Sequence, residues 1–332
     1  MALIRPAAIR ATLRRRQSGA ALLIAMLVVT LVSTLAASMV WQQWRAVQVE
    51  AAERSRAQST LILAGALDWA RLLLREDARA GGSDRIGEPW SVPLEEVRIS
   101  TFLAADVEHT DDAPEAFLSG RIVDAQSRYN LSNLVAAGEV VPAELAVLQR
   151  LFALLGVAAD EADRIAAGLR AATSAPQSAA PASRPTAGVA AAERPLAPLR
   201  LDQLPWLGVA ETTLQRIAPH VVLLPRPTPV NLNTASREVI AAAIEGLDLA
   251  GGERLVQRRQ RTPFSSLADA RQQLGPNFVL TEQRVGTSSS YFEVSGRLRL
   301  VDRLLEQTSL VERRQLEVLT IATDLHPRSA AP

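Results

Sequence analysis

The sequence predicts an α+β fold: a long N-terminal helix, an antiparallel sheet, and a large helical domain inserted between the strands. Three observations carry this. An uncharged stretch from Ala20 to Val40 continues without a proline as far as Ala80. Apolar and polar residues then alternate at period two in two separated regions, within 97–125 and again from Ser288 onward. Between those regions the apolar residues recur at helical spacing.

Length and composition set the frame. With 332 residues the chain has room for two or three globular units. Hydrophobic residues make up 48% and aromatics only 4%, so Ala, Leu and Val must build most of any core. Every cation other than histidine is arginine, and the arginines are spread along the chain, as genome composition would spread them. Selection for bidentate phosphate contacts would cluster them. The first 19 residues hold five arginines (Arg5, Arg10, Arg14, Arg15, Arg16) and no acid; without them 31 cations face 35 acids, a net charge of −4. That balance does not suit a polyanion binder. The absence of cysteine excludes disulfides, thiolate metal sites and a cysteine nucleophile. The three histidines, His109, His220 and His326, have no zinc spacing, and neither G-x-S-x-G nor a phosphate-binding loop occurs. No enzyme is expected.

The first element is the N-terminal helix. Ala20 to Val40 is 21 residues long, which at about 1.5 Å per residue spans a bilayer core of roughly 30 Å. Trp41 and Trp44 follow where interfacial aromatics belong, and the preceding arginines should stay cytoplasmic. A cleaved secretory signal and a buried core helix are competing readings. The run is long for the first and too free of charge for the second. Beyond Trp41 the only glycine before Gly81 is Gly65, and Ile62, Ala66, Trp69, Ala70 and Leu73 mark one apolar face. Gly81-Gly82 ends the pattern. One helix of about 60 residues, near 90 Å long, results.

Residues Arg14 to Val29, RRRQSG followed by AALLIAMLVV, resemble the leader junction of type IV pilins and pseudopilins. The resemblance implies cleavage by a prepilin peptidase after Gly19, leaving Ala20 as the mature N-terminus. Pilins usually carry Glu at the fifth mature position, which here is Ile24. A carboxylate inside a bilayer is costly unless paired. In a fibre its partner is the terminal amine of the subunit ahead, so a subunit at the tip needs none. Gly120 to Val135, GRIVDAQSRYNLSNLV, is similar to a segment of the K-type minor pseudopilins of type II secretion (general secretion pathway protein K), which reads like D-x-Q-G-R-F-N-L-N-N-L. Asp124, Gln126, Arg128, Asn130, Leu131, Asn133 and Leu134 match it, while Ser127, Tyr129 and Ser132 depart from it. VNLNTASREVIAA, from Val230 to Ala242, is a further match. The resemblance implies the pseudopilin fold, with an insert of two SAM-like, helix-hairpin halves. It implies a tip position, an inner-membrane anchor with the globular part in the periplasm, and a role in pseudopilus assembly and protein export. Its implied partners are the I- and J-type minor pseudopilins, the major pseudopilin fibre and the prepilin peptidase.

The remaining elements follow in order. Val97–Leu103 and Phe117–Ala125 alternate as strands. Pro142–Gly156 opens with proline and closes with glycine, as helices do, and Asp160–Thr173 gives a second helix. Residues 173–198 are low-complexity Ala, Pro and Ser, expected to form a mobile loop. Further short helices lie between Leu201 and Gly275, with Asn233 or Thr234 expected to cap one and Ser265 or Ser266 another. From Ser288 a final antiparallel sheet runs until Pro327 ends the order. The division is therefore 1–19 leader, 20–40 transmembrane helix, 41–80 amphipathic helix, 86–127 first strands, 128–285 helical insert and 286–326 final strands.

Two stretches invite ligand readings. Asp106 to Glu115 is acidic, and hard oxygen ligands suit Ca²⁺. The resemblance also raises calcium in the globular domain, which makes Asp106, Asp111 and Asp112 weak candidates. EF-hand spacing is absent, and a solvated loop is the plainer reading. Val230 to Leu274 is similar to helix-hairpin-helix modules of competence proteins, with Arg254, Arg258, Arg259 and Arg261 as a basic face. A type IV pilus or competence pilin, or a DNA-binding membrane protein, is thus the alternative. The turn EGLDLAGGER holds Asp248 and no compact P-G-I-G, so nucleic acid is not expected.

Overall fold

Helix α1, Gln17–Ala80, is uninterrupted. The structure, a computed structural model, describes residues 17–99, 116–173, 196–300 and 303–329. The chain divides between Ile62 and Leu63 into two units. In the first, α1 holds an 18-residue window of mean hydropathy 2.5, none of it buried, which is long and apolar enough to cross a membrane. Three hydroxyls in this stretch bond back to the helix: those of Thr30, Thr34 and Ser38 donate to the carbonyls of Leu27, Leu31 and Leu35 at 2.9, 2.8 and 2.7 Å. An apolar span tolerates hydroxyls satisfied in this way. The helix stops at Gly81 and Gly82, whose φ of 69° and 116° suit glycine.

In the second unit, five strands form an antiparallel sheet in the order β1-β2-β9-β10-β11. They are β1 Leu94–Arg98, β2 Ala116–Asp124, β9 Tyr291–Leu300, β10 Arg303–Arg314 and β11 Glu317–Ser329. The part of α1 beyond Leu63 lies in the same unit, and its Ala70 and Leu74 join Trp90, Ile122, Phe292, Val294, Val311 and Val318 in one core cluster. Trp90 and Phe292 meet edge to face, 5.2 Å between centroids. The first strand begins earlier than the alternation suggests, at Leu94, and includes Val97 and Arg98 of the expected Val97–Leu103, whose residues from 100 on lie outside the described residues. The last strand runs through Pro327, expected to end the order, and reaches Ser329. β11 is the sheet edge, where a residue without an N–H is tolerated.

The chain leaves the sheet at Asp124 and returns at Tyr291, although β2 and β9 are neighbours paired from Ala116↔Leu300 to Asp124↔Phe292. A two-residue turn could join such a pair. Here a helical insert replaces it. The first half comprises short strands β3 Tyr129–Asn130, β4 Val135–Ala136 and β5 Glu139–Val140, then α2 Pro142–Leu155, α3 Ala159–Thr173, α4 Glu211–Ile217 and β6 Val221–Val222. The second comprises β7 Val230–Asn231, α5 Arg237–Ala243, α6 Leu249–Arg261, α7 Leu267–Leu274 and β8 Val285–Gly286. Each half closes with a two-residue parallel pairing, β3 with β6 and β7 with β8. Both share one apolar core, from Tyr129 and Leu131 to Phe264 and Val285. Helices α5 and α6 cross closely at Gly252, where a Cβ would lie 2.6 Å from the Arg237 carbonyl oxygen. The low-complexity loop expected at 173–198 falls mostly outside the described residues.

Candidate functional site

The segment with the K-type motif begins where β2 ends, and its polar side chains turn inward. Asp124 is buried and accepts four hydrogen bonds. Oδ1 takes the Gln126 N–H at 2.8 Å, and Oδ2 takes Thr234 Oγ1 at 2.5 Å, Ser289 Oγ at 2.7 Å and Asn231 Nδ2 at 2.9 Å. Burial pushes this carboxyl above its ordinary value, and the Thr234, Ser289 and Gln126 donors pull against that rise. Gln126 donates to the Pro229 carbonyl at 3.0 Å and accepts the Ser290 N–H at 2.6 Å. Arg128 forms an ion pair with Glu293 on β9 at 2.6 Å. Three of the matched residues thus bind the entry of the insert to its second half and to the strand on which the chain returns.

The next matched residues work inside the insert. Asn130 Nδ2 donates to the Arg226 carbonyl at 2.7 Å and Thr228 Oγ1 at 3.1 Å, while its Oδ1 accepts the N–H groups of Ser132 and Leu224 at 3.0 and 3.1 Å. Leu131 is fully buried. Asn133 pairs with the backbone of Thr228, donating and accepting at 2.9 Å. Asn233 repeats this on Phe264, again at 2.9 Å both ways. An asparagine amide matches one peptide group and can stand in for a missing ladder partner. Tyr129 donates to the Glu144 carboxylate at 3.1 Å, and Glu144 pairs with Arg284 at 3.2 Å. Burial and the Glu144 charge hold the phenol well above its ordinary value.

A second group adjoins the first. Asn231 Nδ2 also reaches the Asp84 carbonyl at 3.1 Å, and the Ser289 N–H donates to Asp84 Oδ2 at 2.6 Å. Arg313 on β10 donates to Asp77 at 2.6 Å, to Asp84 at 2.5 and 2.7 Å and to the Ser289 carbonyl at 2.8 Å. Its guanidinium lies 4.8 Å over the Phe292 ring. Burial, then the neighbouring Glu88 charge, raises the Asp77 carboxyl. Sequence reading missed Asp84, Ser289 and Arg313; the one local signal is polar residues directly after Gly81-Gly82 and before Tyr291.

The other candidates stand apart from this junction. Gly19, Ala20 and Ile24 are exposed on α1. Asp106, Asp111 and Asp112 lie outside the described residues. The basic face expected on α6 loses Arg259, which is buried, donates to the Leu232 carbonyl at 2.5 Å and has its pKa lowered to about 10 by burial. The N-cap of α5 is Ser236 rather than Asn233 or Thr234, both engaged in tertiary bonds. Ser266 caps α7. At the start of α6 the Asp248 carboxylate accepts the Gly251 N–H at 2.7 Å, where a helix-hairpin-helix would present N–H groups to phosphate.

Comparison with known proteins divides the insert at the same place. A model described as type II secretion system protein K matches residues 230–282, and a second with that description matches residues 127–226. The type II secretion system protein K of Pseudomonas aeruginosa is 31% identical over 325 residues, covering 91% of this chain and 90% of the relative. The chain belongs to the type II secretion system protein K family. Protein K of Pectobacterium carotovorum subsp. carotovorum is 27% identical over 321 residues, covering 90% of this chain and 93% of its own. The fold matches a chain in the crystal structure of the GspK–GspI–GspJ complex of enterotoxigenic Escherichia coli, with a TM-score of 0.63 at 18% identity, covering 83% of this chain and 98% of that one. As a protein K, the chain is a minor pseudopilin of type II secretion, from a family of structural subunits. Asp124, Gln126 and Arg128 of its motif hold the helical insert against the pseudopilin sheet, and Asn130 and Asn133 brace the insert from within.

Proposed function

We propose that this chain caps the tip of the type II secretion pseudopilus and is needed for pseudopilus assembly and protein export across the outer membrane. The insert carries the reading: a bulky helical domain leaves the sheet between adjacent strands β2 and β9. Subunits packed through their N-terminal helices leave room for such bulk at the end of a fibre. Ile24 supports the same position, because a first subunit has no amine ahead of it to pair with a carboxylate. A prepilin peptidase would cut between Gly19 and Ala20. Until assembly, α1 would anchor the chain once in the inner membrane, with the globular part in the periplasm.

The partners proposed are the I- and J-type minor pseudopilins, as in the relative solved as a three-protein complex, with the major pseudopilin fibre below them. Nucleic acid is disfavoured by Asp248 at the α6 N-terminus and by the burial of Arg259. Catalysis has no part in this role. The test is co-purification of the full-length chain, in detergent, with its own I- and J-type subunits. A complex containing all three is expected. An I–J pair that forms without this chain joining it would overturn the tip assignment.

A further inference from the structure

The family resemblance raises calcium as a ligand of the globular domain. Among the described residues, Asp77, Asp84 and Glu88 bring carboxylate oxygens within 4.8 Å of one another. Calcium takes six to eight oxygens in such a site. Here one oxygen of Asp77, both of Asp84 and one of Glu88 are already engaged. Arg313 bonds Asp77 Oδ2 and both oxygens of Asp84, and the Ser289 N–H adds a second bond to Asp84 Oδ2. Glu88 Oε2 accepts Trp90 Nε1 at 2.9 Å and the Arg85 N–H at 3.1 Å, with the Arg85 guanidinium 3.8 Å from Oε1. The Arg313 side chain is 10% exposed and held from below by Phe292. A divalent ion would have to displace a buried guanidinium that makes five hydrogen-bond and ring contacts to this corner. The donor set therefore does not fit calcium while Arg313 is in place.

We propose that Arg313 is the resident cation of this corner, joining the end of α1, the turn after it and strand β10 without a metal, and that a divalent ion can take its place only when the guanidinium is removed. Asp77 comes from α1, Asp84 and Glu88 from the turn, and Arg313 from β10. One planar group with several donors reaches two carboxylates and a carbonyl together, which an ammonium cannot copy.

The test is thermal unfolding of the full-length protein in detergent micelles, with millimolar Ca²⁺ or with chelator. Asp106→Asn, Asp111→Asn and Asp112→Asn are introduced throughout, so that these three calcium candidates contribute no response. With Arg313 present, the midpoint should be the same in both media. Arg313→Met should lower the midpoint by several degrees in chelator, Ca²⁺ should recover much of that loss, and adding Asp84→Asn should abolish the recovery. If Arg313→Met fails to fold, Arg313→Lys should lie between the two, with a weaker calcium response. A calcium-raised midpoint with Arg313 present, lost on Asp84→Asn, would overturn the proposal. So would an Arg313→Met protein as stable as its parent, or one that calcium does not recover.

Discussion

Replacing Asp124 by asparagine tests the junction where the insert meets the sheet. The side chains are isosteric, so no cavity opens, and only hydrogen bonding changes. Oδ2 faces three donors, from Asn231, Ser289 and Thr234, and Oδ1 faces the Gln126 N–H. If the new amide nitrogen takes the Oδ2 place, the two hydroxyls can rotate to accept, but Asn231 Nδ2 cannot. If it takes the Oδ1 place, it confronts the Gln126 N–H. Either way one buried donor loses its acceptor, which costs about 1–3 kcal/mol, and the remaining bonds lose the benefit of charge. Relief from burying a carboxylate offsets part of this, because burial already raises the Asp124 pKa. The net expected loss is about 2 kcal/mol, or roughly 4–8 °C in the unfolding midpoint of a unit this size. The assay is thermal unfolding of the full-length protein followed by tryptophan fluorescence. Thr234→Val, which removes a single donor, should cost less than half as much. An Asp124→Asn protein with an unchanged midpoint would refute the assignment of this residue to the junction.

Other predictions follow from single contacts. Gly252→Ala should destabilise the insert by about 1–3 kcal/mol, because its Cβ would lie 2.6 Å from a backbone oxygen. Gly65→Ala meets nothing within 4 Å and should stabilise α1 by about 1 kcal/mol, so the two variants should move the midpoint in opposite directions. Burial lowers the His220 pKa below its ordinary 6.5, so the unfolded chain takes up the proton first. Stability from this group is present above pH 6.5 and is lost as pH falls from there through the folded pKa; unfolding measured against pH should show that slope, and His220→Gln should lack it. The full-length protein should not retard duplex DNA even at low salt, where phosphate binding would be strongest; a salt-dependent shift lost in Arg254→Ala/Arg258→Ala would contradict the reading of α6.

The large divisions of this fold are written locally. Gln17–Ala80 contains no proline, and Gly81-Gly82 supplies the left-handed backbone that stops it. The final strands show their period directly, and the helices of the insert show theirs. Finer features depend on partners far away in sequence. Asn233 and Thr234 have good capping side chains, yet one holds Phe264 and the other Asp124, leaving the cap to Ser236. Arg259 sits in a basic run and reads as a surface cation until the Leu232 carbonyl is found beside it. Family resemblance singled out Asp124, Gln126, Arg128, Asn130 and Asn133 but not what they do. Asp84 and Arg313, 229 residues apart, have no motif that pairs them. Pro327 reads as a terminator because nothing local says that its strand is an edge.

Secretion itself tests the central claim most directly. In cells lacking this chain, the fraction of a type II substrate that reaches the medium should collapse, with the substrate retained in the periplasm. The wild-type chain should restore export, and a chain without residues 20–40 should not. Unimpaired export in the absence of the chain would contradict the account.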